Sequence, residues 1–137
     1  MRIGIINGPN LNLLGKREPE TYGTQDFDSF LDVLKKDYPH IEFEYVQSNT
    51  EGELVNQLHQ MGRNTDGIIL NGAAYTHTSI ALGDAVAAIG TPVVEVHISN
   101  VYQREIFRKS SYVSSHAKGL IAGFGLRGYR LAVESLL

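Results

Sequence analysis

Short apolar segments rich in β-branched residues recur along the chain, and segments with apolar residues at helical spacing separate them. The apolar segments predict five buried strands, at residues 3–6, 41–46, 67–70, 92–96 and 120–124. The remaining segments predict five helices: 24–38, 78–89, 100–108, 127–136 and one that starts after Thr50. The Thr50 helix begins in a capping-box pattern, Thr-Glu-Gly-Glu, ahead of Leu54.

Strands that alternate with helices predict an α/β fold, a parallel sheet with helices on both faces. Because crossovers between parallel strands are right-handed, we expect a doubly wound, flavodoxin-like, five-stranded sheet. Ligands of such sheets bind beyond the carboxyl ends of the strands. The most polar loops follow three of the predicted strands, at 7–23, 71–77 and 97–100. The sequence therefore predicts that these loops converge on one site.

Composition narrows the class of protein. The 137 residues are 42% hydrophobic and 20% charged, which fits one soluble globular domain over 1–137. A net charge of −3 without a basic block argues against a nucleic-acid partner. No 18-residue apolar span is present, and the apolar run at the start of the sequence is too short for a signal peptide. We therefore expect a cytoplasmic protein without a membrane partner.

Several familiar kinds of site do not fit the polar loops. The chain has no cysteine, which excludes a thiolate nucleophile or a zinc-thiolate site. Lys16 is followed by Arg17 rather than by the Ser or Thr of a phosphate-binding loop, and neither a dinucleotide fingerprint nor a Gly-x-Ser-x-Gly turn is present. His77 and His97 lack an evident third metal ligand, so we expect no metal.

The remaining candidates suit acid–base chemistry at a carbonyl compound. A free tyrosine titrates near pH 10, but guanidinium groups within about 4–6 Å stabilise a phenolate. Tyr22 is therefore a candidate base with Arg17 beside it in the sequence, and Arg104 or Arg108 can approach from another loop. Histidine suits the role of general acid.

Strand geometry adds a partner for that histidine. In Glu95-Val96-His97 the first and third side chains lie on the same face of the predicted strand, so the carboxylate can orient the imidazole. Asparagines can hold a water or an oxyanion without charge. The candidates in the three loops are Asn10, Asn12 and Asn71. Together these residues suit proton abstraction beside a carbonyl, an enolate, and departure of a hydroxyl as water.

Each of these residues also has a structural interpretation when taken alone. Tyr22 can be a packing residue, His97 a structural histidine and His77 a cap for the helix that begins near Thr78. Arg104 and Arg108 can form a solvated face of a helix. A non-catalytic flavodoxin-like module that binds a small polar ligand is the competing class of function. A structural subunit would leave the long polar loop 7–23 unexplained.

Three stretches together carry a resemblance to one enzyme family. They read NGPNLNLLGKREPETYG, ILNGAAYTHTSIALGDA and EVHISNVYQREIFR. In this order they resemble the signatures of the type II 3-dehydroquinate dehydratases, and the resemblance extends over essentially the whole chain. It implies a lyase of the shikimate pathway that converts 3-dehydroquinate to 3-dehydroshikimate and water without a cofactor. It also implies a homo-oligomer, a trimer that assembles into a dodecamer.

The resemblance also implies roles for particular residues. Tyr22 would be the base, Arg17 its activating residue on a lid hinged at Gly15 and Gly23, and His97 the acid with Glu95 behind it. Asn10 would hold the water that stabilises the enolate. The substrate-binding residues would be Asn71, His77, Asp84, Ile98, Ser99 and Arg108, with Asn12 and Arg104 supporting the site. Asp84 would reach the site of a neighbouring subunit.

Overall fold

The computed structural model describes residues 1–16 and 18–137, and its strands form a parallel sheet of the predicted kind. The strands are β1 (Arg2–Asn7), β2 (Glu42–Gln47), β3 (Gly67–Asn71), β4 (Val93–His97) and β5 (Gly119–Ala122). All neighbouring pairs are parallel, in the order β2-β1-β3-β4-β5. This is the flavodoxin-like order, and its direction of winding reverses between β1 and β3. The predicted fold class is confirmed.

The helices cover both faces of the sheet. The covering helices are α2 (Phe27–Asp37), α3 (Glu51–Asn64), α4 (Ile80–Ala88) and α5 (Arg127–Leu136), whereas α1 (Pro19–Tyr22) is a single turn in the loop after β1. Single turns of 3₁₀ helix lie in the loops, at Leu11–Leu13, Ala73–His77, Val101–Gln103 and Ile106–Lys109. In the described part of the chain, no helix is both long enough and apolar enough to cross a membrane.

Alternation along the strands divides the core into two layers. One layer packs β-strand residues such as Ile5 and Val96 against α2 and α5. The other packs residues such as Ile6 and Leu70 against α3 and α4. Because successive side chains of a strand point to opposite faces, a continuous apolar strand supplies both layers. The polar loops at the carboxyl ends of the strands are thereby left for a site.

The ends of two helices are set by side chains that bind free backbone N–H groups. The Asp26 carboxylate accepts a hydrogen bond from Ser29 N at 2.8 Å, so α2 begins later than the predicted residue 24. Ser79 Oγ accepts from Leu82 N at 2.9 Å at the start of α4. The predicted capping box is wrong. The Glu53 carboxylate accepts a hydrogen bond from the Ser48 hydroxyl instead of from Thr50 N. Thr50 N donates to Ser48 Oγ.

The predicted helix at 100–108 is also wrong. This segment contains two separate 3₁₀ turns, and Arg104 between them has an extended backbone (φ −107°, ψ −161°). Asn100 Oδ1 accepts from Tyr102 N at 3.1 Å, which favours a local turn over a continuous helix. The break allows Arg104 to reach Tyr22 on the loop after β1 and Ser99 on its own loop, which the regular spacing of a helix did not predict.

Candidate active site

A cavity lies at the carboxyl edge of the sheet, where the loops that follow β1, β3 and β4 meet. Residues from all three loops and from α1 line it: Pro9, Asn10, Leu11, Tyr22, Asn71, Ala73, Ala74, Ile98, Arg104 and Arg108. Six of these were candidates from the sequence. The cavity adjoins the position where β1 and β3 reverse the direction of winding, which is where ligands bind in this fold.

The hydroxyl of Tyr22 is hydrogen bonded to a guanidinium group. Arg104 Nη1 donates to Tyr22 Oη at 2.9 Å and lies 3.2 Å from Ser99 Oγ. The guanidinium carbon of Arg104 is 5.7 Å from the centre of the Tyr22 ring. A positive charge at the phenol oxygen would stabilise a phenolate there. Arg17, the cation that the resemblance assigns to the lid, lies outside the described residues.

The backbone around Tyr22 contains two turns that suit glycine. Tyr22 is the last residue of the four-residue helix α1. Gly15 before this helix has φ 89° and Gly23 directly after it has φ 83°. Both angles lie in a region that residues with a Cβ rarely adopt. These two glycines therefore bound the segment that carries Tyr22 to the cavity.

His97 and Glu95 form a buried pair at the end of β4. His97 is 5% exposed and Glu95 1% exposed, and His97 Nε2 lies 2.5 Å from Glu95 Oε2. The other carboxylate oxygen, Oε1, accepts from Ser111 Oγ at 3.1 Å and from Ser114 Oγ at 2.5 Å. Burial alone would raise the pKa of Glu95, but the hydrogen bonds from His97 and the two serines outweigh it and hold the pKa below its usual range. The carboxylate is therefore charged at neutral pH.

His77 lies beside this pair. Its ring centre is 5.9 Å from that of His97, with the two planes 22° apart. Its Nδ1 is 2.7 Å from the backbone carbonyl of Ser110. Burial lowers the pKa of His77, so the neutral ring is favoured. Since Ser79 caps α4, the interpretation of His77 as that helix's cap is wrong.

A buried network that the sequence did not reveal supports Asn71. Tyr129 Oη donates to Asn7 Oδ1 at 2.7 Å and accepts from Asn71 Nδ2 at 2.9 Å. Asn71 Oδ1 accepts from Ala73 N at 3.1 Å. Asn7 and Asn71 are partners in the register of β1 and β3, which a strand alignment could have suggested. Tyr129 gave no such signal, because its place in α5 is that of an ordinary core residue.

A second set of polar residues that the sequence did not reveal supports Asn10. Asn10 has a left-handed backbone (φ 71°), which asparagine tolerates better than most residues. Its N–H donates to Asn49 Oδ1 at 3.0 Å. Gln47 Nε2 donates to the same oxygen and to the carbonyl of Gly8, each at 3.1 Å. Gln47 at the end of β2 and Asn49 just after it thus hold the turn that presents Asn10 to the cavity.

Some candidates lie away from the cavity. Asn12 lines a separate depression with Asp26, Phe27 and Tyr45. Asp84 lies exposed on α4. Within residues 1–16 and 18–137, no three His, Asp or Glu side chains come together as a metal site would require.

Comparison with known proteins gives the family. The chain matches the family described as Dehydroquinase class II over residues 1–137. It is 52% identical over 132 residues to 3-dehydroquinate dehydratase 2 of Pseudomonas aeruginosa, covering 95% of this chain and 89% of that protein. The crystal structure of type II dehydroquinase from Butyrivibrio crossotus superposes with a TM-score of 0.95 at 42% identity, covering 99% of this chain and 97% of the other. The chain belongs to the class II dehydroquinase family.

Proposed function

We propose that this chain is a lyase that removes water from 3-dehydroquinate to give 3-dehydroshikimate, a reaction of the shikimate pathway. Its relatives are named for this dehydration. The observation that carries the proposal is the hydrogen bond from Arg104 to Tyr22 at the cavity. Through this bond the Arg104 guanidinium supports Tyr22 as the base, while the buried His97–Glu95 pair at the end of β4 supplies the acid.

In the first step, Tyr22 acts as the base. Its phenolate removes a proton from C2 of the substrate, and the electron pair moves towards the C3 carbonyl to form an enolate. The guanidinium of Arg104 would stabilise the phenolate, and Arg17 is proposed as a second cation. Asn10, which lines the same cavity as Tyr22, holds a water against the enolate oxygen. This step needs a charged oxygen at two places, the base and the enolate, and each has a polar partner.

In the second step, His97 acts as the acid. It donates a proton to the C1 hydroxyl, which leaves as water while the enolate re-forms the carbonyl and a double bond develops between C1 and C2. One proton has moved to Tyr22 and one has left His97, so proton transfer from Tyr22 to His97 through solvent restores the enzyme. Glu95 orients the imidazole and stabilises its positive form.

The substrate would be held by groups around the same cavity. The backbone N–H groups of Ile98 and Ser99 are proposed to bind the carboxylate, and Asn71, His77 and Arg108 the ring hydroxyls. Ile98, Asn71 and Arg108 line the cavity, which supports this arrangement. Arg108 is ion-paired with Glu105, so its guanidinium is oriented before a ligand arrives. Asn12 does not lie on this cavity, and we propose no contact between it and the substrate.

A spectroscopic assay tests the reaction. Purified protein is mixed with 3-dehydroquinate, and the absorbance of the conjugated enone is followed in the ultraviolet. We expect turnover that persists with borohydride present, since an enolate route forms no imine with a lysine. Inactivation by borohydride in the presence of substrate would contradict the enolate route. A folded protein without turnover would contradict the dehydratase and favour a binding module.

We further propose that the chain forms trimers that assemble into dodecamers. Large apolar side chains are exposed near the cavity loops, with Ile80 60%, Phe107 60% and Ile106 82% accessible. Ile80 begins α4, the helix that carries Asp84, so a second copy that covers Ile80 would bring Asp84 close to the boundary between subunits. Sedimentation measures the assembly.

Mixed oligomers test the role of Asp84. Oligomers of Tyr22→Phe and Asp84→Ala chains should recover activity that each variant lacks alone, because some sites then combine intact parts of both chains. A failure to recover activity would contradict the shared site. A cytoplasmic location is also part of the proposal, and cell fractionation tests it.

A further inference from the structure

The segment 110–114 contacts His77 directly and reaches His97 through Glu95. The hydroxyls of Ser111 and Ser114 donate to Glu95, which in turn binds His97. The backbone carbonyl of Ser110 lies against His77 Nδ1. The segment, Ser-Ser-Tyr-Val-Ser, belongs to none of the helices or strands, and nothing in its sequence singles it out. One short loop therefore reaches two side chains of the site, Glu95 at the end of β4 and His77 on the turn after β3.

Several contacts hold this segment in place. Tyr112 N donates to the carbonyl of Thr76 at 2.9 Å, directly beside His77 in the chain. Val113 is fully buried, and its N–H and that of Ser114 both donate to Ser111 Oγ at 3.0 Å. A Cβ on Gly83 would lie 2.2 Å from the carbonyl oxygen of Tyr112, so α4 approaches the segment too closely for any side chain there. The segment is packed between α4 and the His77 turn.

The serine hydroxyls determine which atom of His97 carries a proton. An ionised carboxylate accepts hydrogen bonds and donates none. Because Ser111 and Ser114 both donate to Oε1, the carboxylate is kept ionised and Oε2 accepts from His97 Nε2. Nε2 therefore keeps its hydrogen throughout. Nδ1 is left as the nitrogen that exchanges a proton with the substrate.

The carbonyl of Ser110 likewise determines which nitrogen of His77 carries a hydrogen, and here that nitrogen is Nδ1 rather than Nε2. A carbonyl oxygen only accepts, so His77 Nδ1 carries the hydrogen in their contact. A neutral imidazole then has an unprotonated Nε2, which is an acceptor. Burial favours this neutral form. His77 is thereby prepared to accept a hydrogen bond from a hydroxyl rather than to donate one.

We propose that segment 110–114 is a positioning element that assigns the protons of both histidines, so that His97 transfers its proton through Nδ1 and His77 accepts a substrate hydroxyl through Nε2. The inference rests on the proposed dehydration. It makes Ser111 and Ser114 positioning residues that act through Glu95. Among residues 1–16 and 18–137, the charged and titratable groups that face this cluster are His97 on β4, His77 on the turn after β3, and Arg108 on the turn Ile106–Lys109.

Kinetics of serine variants test the His97 part. Ser114→Ala removes a hydrogen bond to a charged oxygen, and we expect kcat to fall about tenfold with KM changed less than about twofold. Ser111→Ala should act in the same direction. Ser114→Thr retains a hydroxyl and should recover most of the loss. Ser135→Ala removes a hydroxyl that donates to Ala132 O in α5, and it serves as the matched control with unchanged kcat.

The pH profile separates positioning from a structural effect. Burial raises the pKa of Glu95 and the serine hydroxyls lower it. Without a serine hydroxyl the pKa of Glu95 therefore rises, and Glu95 becomes protonated at a higher pH. The acid limb of kcat should therefore move to higher pH by about one unit in Ser114→Ala, where one unit corresponds to a tenfold change in the equilibrium. An unmoved acid limb with a full loss of kcat would overturn the proposal.

A double-mutant cycle makes the test stricter. Glu95→Gln removes the charge that the serines hold, so Ser114→Ala should lower kcat far less in that background than in the parent chain. An equal loss in both backgrounds would mean that Ser114 acts independently of Glu95, and the inference would be wrong. Both serines are partly exposed, so these small substitutions leave the buried core intact.

Nuclear magnetic resonance tests the same inference without turnover. The ¹⁵N shifts of the two imidazoles should report a protonated Nε2 in His97 and, at neutral pH, a protonated Nδ1 in His77. Ser114→Ala should alter the His97 signals. Opposite tautomers in the parent chain would refute the inference even if the enzyme is active. The correct tautomers in a protein that does not dehydrate 3-dehydroquinate would instead leave the segment's role standing and count against the proposed function alone.

Discussion

Tyr22 and Arg104 are 82 residues apart in the chain, and their side chains meet with an N–O distance of 2.9 Å. His97 and Glu95 are two residues apart, and strand geometry alone places them together. The two halves of the proposed chemistry thus arise differently. The His97–Glu95 pair follows from the local geometry of β4. Tyr22, on the loop after β1, instead needs Arg104 from the loop after β4, on the other side of the position where the strand order reverses.

At Tyr22 we expect Tyr22→Phe to lower kcat by about 10²–10⁴, because the phenol oxygen that accepts the C2 proton is gone. Binding of substrate should change little, since the ring remains. Tyr102→Phe is the matched control, because the Tyr102 side chain is 54% exposed and does not line the cavity. Steady-state kinetics and isothermal titration measure both effects. Unchanged turnover in Tyr22→Phe would rule out the assigned base.

At Tyr129 we expect Tyr129→Phe to destabilise the fold by about 1–3 kcal/mol. It leaves Asn7 Oδ1 and Asn71 Nδ2 without their buried partner. Tyr38→Phe removes a hydroxyl from a partly exposed hydrogen bond with Glu134 and should cost less than about 1 kcal/mol. Urea denaturation at pH 7 compares the two variants. Equal losses of unfolding free energy in the two variants would show that the buried hydrogen bonds of Tyr129 stabilise the fold no more than the exposed bond of Tyr38 does.

At the scale of elements, the sequence pattern predicted α2, α3 and α5 from apolar spacing but failed for 100–108. Periodicity reports which face of a segment meets the core, and the helices that pack on the sheet have such a face. The segment after β4 packs little and serves to place Arg104 and Arg108 at the cavity. Its spacing of charges resembled a helix by coincidence, and side-chain hydrogen bonds at Asn100 decided its form.

The turn that ends α1 gives a prediction at this scale. Gly23 has φ 83° and ψ 177°, a conformation that is essentially restricted to glycine, so Gly23→Ala should strain the segment by about 1–3 kcal/mol and displace Tyr22. We expect kcat to fall about tenfold. Gly52→Ala is the matched control in the first turn of α3, where it should stabilise by about 0.5–1 kcal/mol. A Cβ meets nothing within 4 Å at either position, so only backbone conformation differs.

Kinetics and urea denaturation of both glycine variants check this expectation. Equal activity and equal stability of Gly23→Ala and the parent chain would show that the turn after Tyr22 adapts freely.

At the scale of the whole molecule, the sheet order brings separate loops to one edge. β1, β3 and β4 are neighbours, so the residues that follow them must meet. The buried contacts of Tyr129 then connect α5, at the end of the chain, to Asn7 and Asn71 at the ends of β1 and β3. The stability of the fold and the geometry of the cavity therefore share one polar network.

This network makes stability sensitive to high pH. Burial raises the pKa of Tyr129 above its ordinary value of 10.0, so the folded state holds its proton more tightly than the unfolded chain does. The resulting stability is complete below about pH 10 and is lost as the pH rises further, by up to about 1.4 kcal/mol per pH unit. Above pH 10 the unfolding free energy of the parent chain should therefore fall more steeply than that of Tyr129→Phe. Parallel slopes in denaturation curves would contradict this.

The sequence by itself determined the fold class, the convergence of the three polar loops and the Glu95–His97 pair. These depend on alternation, strand order rules and spacing within one strand, all of which are local or general. Only the tertiary structure decided that Arg104 is the partner of Tyr22, that Tyr129 and Asn7 support Asn71, and that segment 110–114 contacts His77 and Glu95. These contacts join residues from separate elements. They depend on where each side chain points once the elements have packed, and no local sequence pattern encodes that direction.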